Sequence, residues 1–197
     1  RWDLQRDATA KAILDTIFDA TIWNNVPEEE FDSIEEAPNS FLVNAAYYKA
    51  PDIHWYQDGT EPNTFENFAV LTPMVNGFQC IPQTIVEETA RQMFGDTVQV
   101  VHEKPRYGYY QEYAMAYTPR HMGGWYPDIF LLDYTEQGDV VEATVAYGRL
   151  FGSAGNAMKT LADMDEEQSI RNREQRHRFT LQKTEDGYRI TGYHMVD

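Results

Sequence analysis

A chain of 197 residues, 42% hydrophobic and 14% aromatic, is long enough for one well-buried core and too apolar for a disordered tail, and none of its apolar runs reaches the ~20 residues needed to cross a bilayer. Thirty-two acidic side chains against sixteen basic ones leave a formal charge of -16, which repels phosphate backbones and anionic headgroups and excludes nucleic acid as an expected partner. The single cysteine, Cys80, allows no intrachain disulfide. Its place between an apolar stretch and Pro82, with no cation nearby to hold a thiolate, predicts a buried and inert thiol.

Residues 3 to about 23 carry Ala10, Ile13, Leu14, Ile17, Phe18 and Thr21 at helical spacing, predicting a long amphipathic helix that stops at Asn24-Asn25 because Val26 precedes a proline. The acidic run Glu28-Glu29-Glu30 then suits the positive N-terminal end of a short following helix. Pro38-Asn39-Ser40 resembles an N-cap for a second helix over 41–49, with Ala50-Pro51 as its stop. Ile53-His54-Trp55-Tyr56 reads as a short strand, Asp58-Gly59 as a turn, and 65–71 as the returning strand.

The stretch Ile81 to Gly95 predicts the third helix, with Thr84 and Glu87 at capping-box spacing and Gly95 as its left-handed terminator. Strands follow over 98–102, 112–117, 129–134 and 140–151, with residues 136–139 as a hairpin connection. Val141, Ala143, Val145 and Tyr147 alternate along the last of these. Residues 152–175 read as a long excursion, part helical, anchored by Met158 and Leu161. The ending, 176–197, reads as a β-hairpin turning at Asp186-Gly187, a register that opposes Leu181 to Gly192 and Phe179 to His194. The predicted fold is a single α+β domain over 1–197, in which N-terminal helices pack on a curved antiparallel sheet that ends in a C-terminal β-meander.

The first helix, the stretch Ala50-Pro51-Asp52-Ile53-His54-Trp55-Tyr56 and the ending FTLQKTEDGYRI, Phe179 to Ile190, resemble the nuclear transport factor 2-like superfamily, a cone of curved sheet closed by helices. More strands are expected after the third helix than that superfamily's core carries. The capped helix ending at Phe94-Gly95, the acidic, tyrosine-rich body and the same ending also resemble the extracytoplasmic domains of uncharacterised bacterial lipoproteins. That resemblance implies export and attachment to the cell surface through a lipidated cysteine upstream of Arg1. The chain opens on Arg1-Trp2-Asp3 without a methionine, as expected of one trimmed of its natural N-terminus.

Chemistry is sparsely signalled. The cone-shaped superfamily includes isomerases and hydrolases that place an acid beside a histidine or tyrosine in the cavity, and His54 with Asp58, or His194 opposite Phe179, would be the counterparts here. A hydrogen-bonded structural histidine is the simpler reading of each. The histidines at 54, 102, 121, 177 and 194 lack metal-ligand spacing, and Gly152-Ser153-Ala154-Gly155 lacks the context of a nucleophile elbow or a phosphate loop. No metal, cofactor or catalytic residue is therefore expected. The densest binding signal is Tyr107, Tyr109, Tyr110, His121, Trp125 and Tyr126, to which His54 is added as a cavity residue. Flat apolar rings with polar edges suit a small molecule, a glycan or a protein surface, although plugging the end of the sheet would use the same residues. The leading expectation is a non-catalytic extracytoplasmic binding domain; the alternative is a small cavity enzyme using a histidine and a nearby carboxylate.

Overall fold

The structure, a computed structural model, describes residues 7–22, 25–57, 74–75, 78–102, 113–117, 128–148, 158–160 and 176–196, with backbone alone for 51–57, 74–75, 78–82, 113–117, 128, 148 and 158–160. The chain divides into two compact units, one built from 1–38 and 125–197, the other from 39–124.

The first unit holds helix α1 (Ala8–Thr21), a single 3-10 turn (Ile34–Glu36) and strands β4 (Asp128–Gln137), β5 (Val140–Gly148), β6 (Met158–Thr160), β7 (Arg176–Thr184) and β8 (Gly187–Val196). Asp7 starts α1 by accepting the Ala10 amide at 2.9 Å, which satisfies one of the donors a helix leaves open at its first turn. Ala10, Ile13, Leu14, Ile17, Ala20 and Thr21 form its buried stripe. Asn25 closes the far end, its amide donating to the Thr21 carbonyl at 3.1 Å and its side chain to the Ala20 carbonyl at 2.9 Å. Helix α1 lies against β4, β6 and β8.

The sheet runs β6-β4-β5-β7-β8. The four long strands are antiparallel neighbours, as the expected meander requires, and the excursion contributes β6, which pairs with β4 in parallel. Cross-strand partners share a face, so the register assigns Ile129, Leu131, Tyr147, Val145, Ala143, Val141, Phe179, Leu181, Ile190 and Tyr193 to one face, and all are buried. Each such side chain contributes about 1.5–3 kcal/mol when fully removed from water, less for the alanine.

The last hairpin differs from expectation in register. Thr184 pairs with Gly187, so Glu185-Asp186 makes the turn and Gly187, at φ +139°, takes the conformation that follows it. A bulge then sets Leu181 opposite Ile190 but Phe179 opposite Tyr193. Thr191 is the additional residue, and it moves Tyr193 onto the core face and His194 off it. A second bulge, at Leu132 in β4, separates the pairs Leu131–Val145 and Asp133–Thr144. The chain also adds a single bridge at Phe31, which exchanges amide bonds of 3.0 and 2.9 Å with Tyr193. The acidic run does not cap the 3-10 turn: Glu28 and Glu29 are exposed, and Glu30 accepts the Met195 amide at 2.8 Å.

The second unit holds helices α2 (Asn39–Gln57) and α3 (Gln83–Phe94) and a three-stranded sheet ordered β1 (Met74–Val75), β2 (Phe78–Pro82), β3 (Tyr113–Tyr117). Three expectations fail here. Helix α2 passes through Pro51, so the strand assigned to residues 53–56 is helical. A proline's fixed φ suits a helix, and its cost falls on the turn before it rather than on the residues after it. Helix α3 starts at Gln83, because Ile81 and Pro82 extend β2, and Thr84 is therefore inside the helix and exposed rather than at its cap. Residues 98–102 form no strand. The Val101 backbone is instead held by the Asn39 side chain, with two bonds of 2.8 Å. Phe41 and Phe94 pack α2 on α3 with ring centroids 5.6 Å apart. Gly95, at φ +108°, ends α3 and donates to the Arg91 carbonyl at 2.8 Å. Cys80 lies in β2 opposite Ala116, its side chain outside the described residues, as are 65–71.

Candidate functional site

Four polar side chains meet on the buried face of the five-stranded sheet. Thr21, the last residue of α1, turns its hydroxyl back to donate to the Ile17 carbonyl at 2.8 Å and accepts the Tyr147 hydroxyl, also at 2.8 Å. Burial raises the Tyr147 phenol above its usual range. The Tyr147 ring meets His177 edge to face at 5.3 Å, and His177 in turn stacks on Tyr193 with centroids 5.8 Å apart and planes 18° from parallel. The His177 Nδ1 and the Tyr193 hydroxyl are 2.7 Å apart. Phe179 and Phe31 complete the aromatic wall around Tyr193, at 5.1 and 6.1 Å.

The electrostatics follow from burial. Removal from water pushes the Tyr193 phenol up to about 12, with the Glu30 carboxylate adding to it. The same cause pushes the His177 imidazole below its ordinary 6.5. A neutral imidazole against a neutral phenol is the result: an acceptor nitrogen beside a weak acid, or the reverse tautomer. Such a pair can pass a proton or simply fix the two rings.

The remaining described histidine side chains are tied elsewhere. His194 contacts Asp32 through Nε2 at 2.9 Å and Glu30 through Nδ1 at 3.7 Å. Its register partner is Arg178, not Phe179, so the expected apolar setting is replaced by an acidic one on the opposite face. In the second unit His102 Nε2 lies 2.9 Å from Glu87, the residue expected to serve a capping box, and Nδ1 is buried without a hydrogen-bond partner. Tyr134 has its phenol raised by partial burial and by Asp7, the cap of α1. Among the described residues no group of histidine, cysteine and carboxylate side chains is arranged to hold a metal.

Of the sequence-predicted site, His54 sits in α2 rather than on a hairpin, with its side chain outside the described residues. Tyr107, Tyr109, Tyr110, His121, Trp125 and Tyr126 all lie outside them, as does Asp58. The network of Thr21, Tyr147, His177 and Tyr193 was not anticipated. Its sequence signals are the alternation that puts Tyr147 on the face of Val141, and the two-residue step from His177 to Phe179. No helix among the described residues is long and apolar enough to cross a membrane. No protein-family model, curated protein or solved structure matches the chain.

Proposed function

We propose that the chain is a non-catalytic binding domain that works outside the cytoplasm, with the tyrosine-rich stretch 107–126 as its ligand surface. One observation supports this reading above the enzyme alternative. Each described histidine side chain is engaged by a neighbour within the fold, His177 by Tyr193, His194 by Asp32 and Glu30, and His102 by Glu87. Each of these contacts ties the ring to the fold, although His102 Nδ1 has no hydrogen-bond partner.

The rings and polar edges of Tyr107, Tyr109, Tyr110, Trp125 and Tyr126 favour a neutral or cationic ligand, because an overall charge of -16 repels anions. Saturation-transfer NMR with a panel of neutral and cationic oligosaccharides is the test. Transfer that disappears in Trp125→Ala and Tyr126→Ala, with the unfolding midpoint unchanged, is the expected result. Absence of transfer to every member eliminates the glycan form of the reading. Turnover of a nitrophenyl ester that is lost in His54→Ala replaces it with the enzyme. The extracytoplasmic placement rests on the lipoprotein resemblance alone and predicts palmitate incorporation into the full-length protein in its native cell.

A further inference from the structure

We infer that Arg176 and Arg178 of β7, with Thr144 of β5, form a binding site for a ligand carboxylate on the face of the five-stranded sheet opposite the Tyr147–His177 network. The site is separate from the ligand reading above and does not rest on it.

Register brings the three side chains together. Arg178 lies between Thr144 and His194, and Arg176 between Ala146 and Val196. Cross-strand partners share a face, as do residues two apart on one strand, so the two arginine stems leave β7 about 7 Å apart on the same side. Side chains of that length can converge on one anion. Thr144 stands opposite Arg178 and diagonal to Arg176, placed to donate a third hydrogen bond.

The cluster is set apart by its unpaired charge. The chain carries thirty-two acidic residues against sixteen basic ones, yet among the described residues neither arginine is joined to a carboxylate. The Arg176 Nε is shielded from water and has no hydrogen-bond partner. A shielded donor on a charged group is costly without an acceptor, and a carboxylate bound across Nε and a terminal nitrogen supplies one. Arg176 as a whole is only part-buried and Arg178 is exposed, so the pair is within reach of a ligand. Phe130 and Ala146, next along the row of Arg176, are fully buried. That end of the face is therefore sheltered, and a charge-assisted bond is stronger where water competes less.

The neighbouring acids decide which anion fits. Glu30 and Asp32 are engaged by the Met195 amide and His194, while Asp133 and Glu142 flank Thr144 on the sides away from Arg176. Their field, added to that of the whole chain, opposes a dianion about twice as strongly as a single negative charge. A carboxylate is thereby favoured over a phosphate.

NMR of the arginine Nε–H groups in the full chain tests this during titration with acetate, with chloride at matched ionic strength as the reference and inorganic phosphate as a second arm. Acetate is expected to shift the Arg176 and Arg178 resonances saturably and beyond the effect of chloride. Loss of one charge-assisted bond should weaken binding about tenfold in Arg176→Gln and in Arg178→Gln. Arg189→Gln, which removes the same charge near the other end of β8, should leave it unchanged. Shifts that match those in chloride, or that never saturate, mean an adventitious ion only and overturn the site. Equal weakening in Arg189→Gln reduces the effect to net charge and overturns it too, and tighter binding of phosphate than of acetate overturns the carboxylate assignment. Should Arg176→Gln not fold, Arg178→Gln compared with Arg189→Gln decides.

Discussion

The bond between Tyr147 and Thr21 is directional, and this fixes an order for two substitutions that each remove it. Thr21→Val keeps the β-branched shape but leaves the Tyr147 hydroxyl as a buried donor with no acceptor. An orphaned buried donor costs about 1–3 kcal/mol. Tyr147→Phe leaves Thr21 still donating to the Ile17 carbonyl at 2.8 Å, so only a lone pair goes unfilled, and the loss is about 0.5–1.5 kcal/mol. The double variant has no orphan and should cost about 1 kcal/mol less than the sum of the singles. Urea unfolding at neutral pH followed by circular dichroism gives all three values from the midpoints. A larger loss for Tyr147→Phe than for Thr21→Val would refute the assigned direction. Singles that add to within about 0.3 kcal/mol would refute the bond itself.

Three further predictions concern the same unit. The Tyr193 phenol, raised to about 12, favours the protonated folded state, so its contribution is complete below pH 10 and is lost as pH climbs toward 12; Tyr193→Phe should delete one high-pH step from the ultraviolet phenolate titration. A Cβ at Gly192 would lie 3.2 Å from the Thr180 Cβ and Oγ1 and 3.3 Å from the Phe31 carbonyl oxygen. Thr180 can turn but the bridged carbonyl must shift, so Gly192→Ala should lower stability by about 1–3 kcal/mol in urea titration. Asp7→Ala removes the α1 cap at about 0.5–2 kcal/mol and should bring the Tyr134 phenol part of the way back toward its usual range, since burial remains.

What the sequence made legible depended on whether the signal was local. Helix α1 was readable because its apolar stripe and its terminating Asn25 are neighbours in the chain. So was the β4–β5 hairpin, whose turn at Gly138-Asp139 uses the positive φ of Gly138. The β1–β2 pair was also readable in principle: Val75 opposes Phe78, and the residues between are Asn76-Gly77, a strong hairpin dipeptide. Helix α2 misled because Pro51 was read as a stop, and Thr84 and Glu87 because their spacing fits a cap while Glu87 is held by His102, fifteen positions away. The network at Thr21, Tyr147, His177 and Tyr193 was hidden for a related reason. It joins one helix to three strands, and no spacing within any one of them encodes the meeting. Its last member is displaced by a bulge that alternation cannot foresee.

That bulge makes a decisive pair of deletions. Ile190 and Tyr193 both face the core although three positions apart, because Thr191 and Gly192 together oppose Thr180. Deleting Thr191 leaves Ile190, Gly192 and Tyr193 in plain alternation, with Ile190 still opposite Leu181 and Tyr193 still opposite Phe179. The loss is confined to the local twist and to the 3.3 Å bond from the Thr191 hydroxyl to the Thr180 carbonyl. Deleting Thr180 puts Phe179 and Leu181 side by side, so one must leave the core, and β7 loses register with β5 as well as β8. Expelling one such residue forfeits about 1.5–3 kcal/mol of burial before any lost pairing is counted. The Thr191 deletion should therefore keep the Phe31–Tyr193 amide protection and a cooperative urea transition, while the Thr180 deletion abolishes the protection. Equal damage from both would mean that Tyr193 reaches the core by some route other than the extra residue in β8.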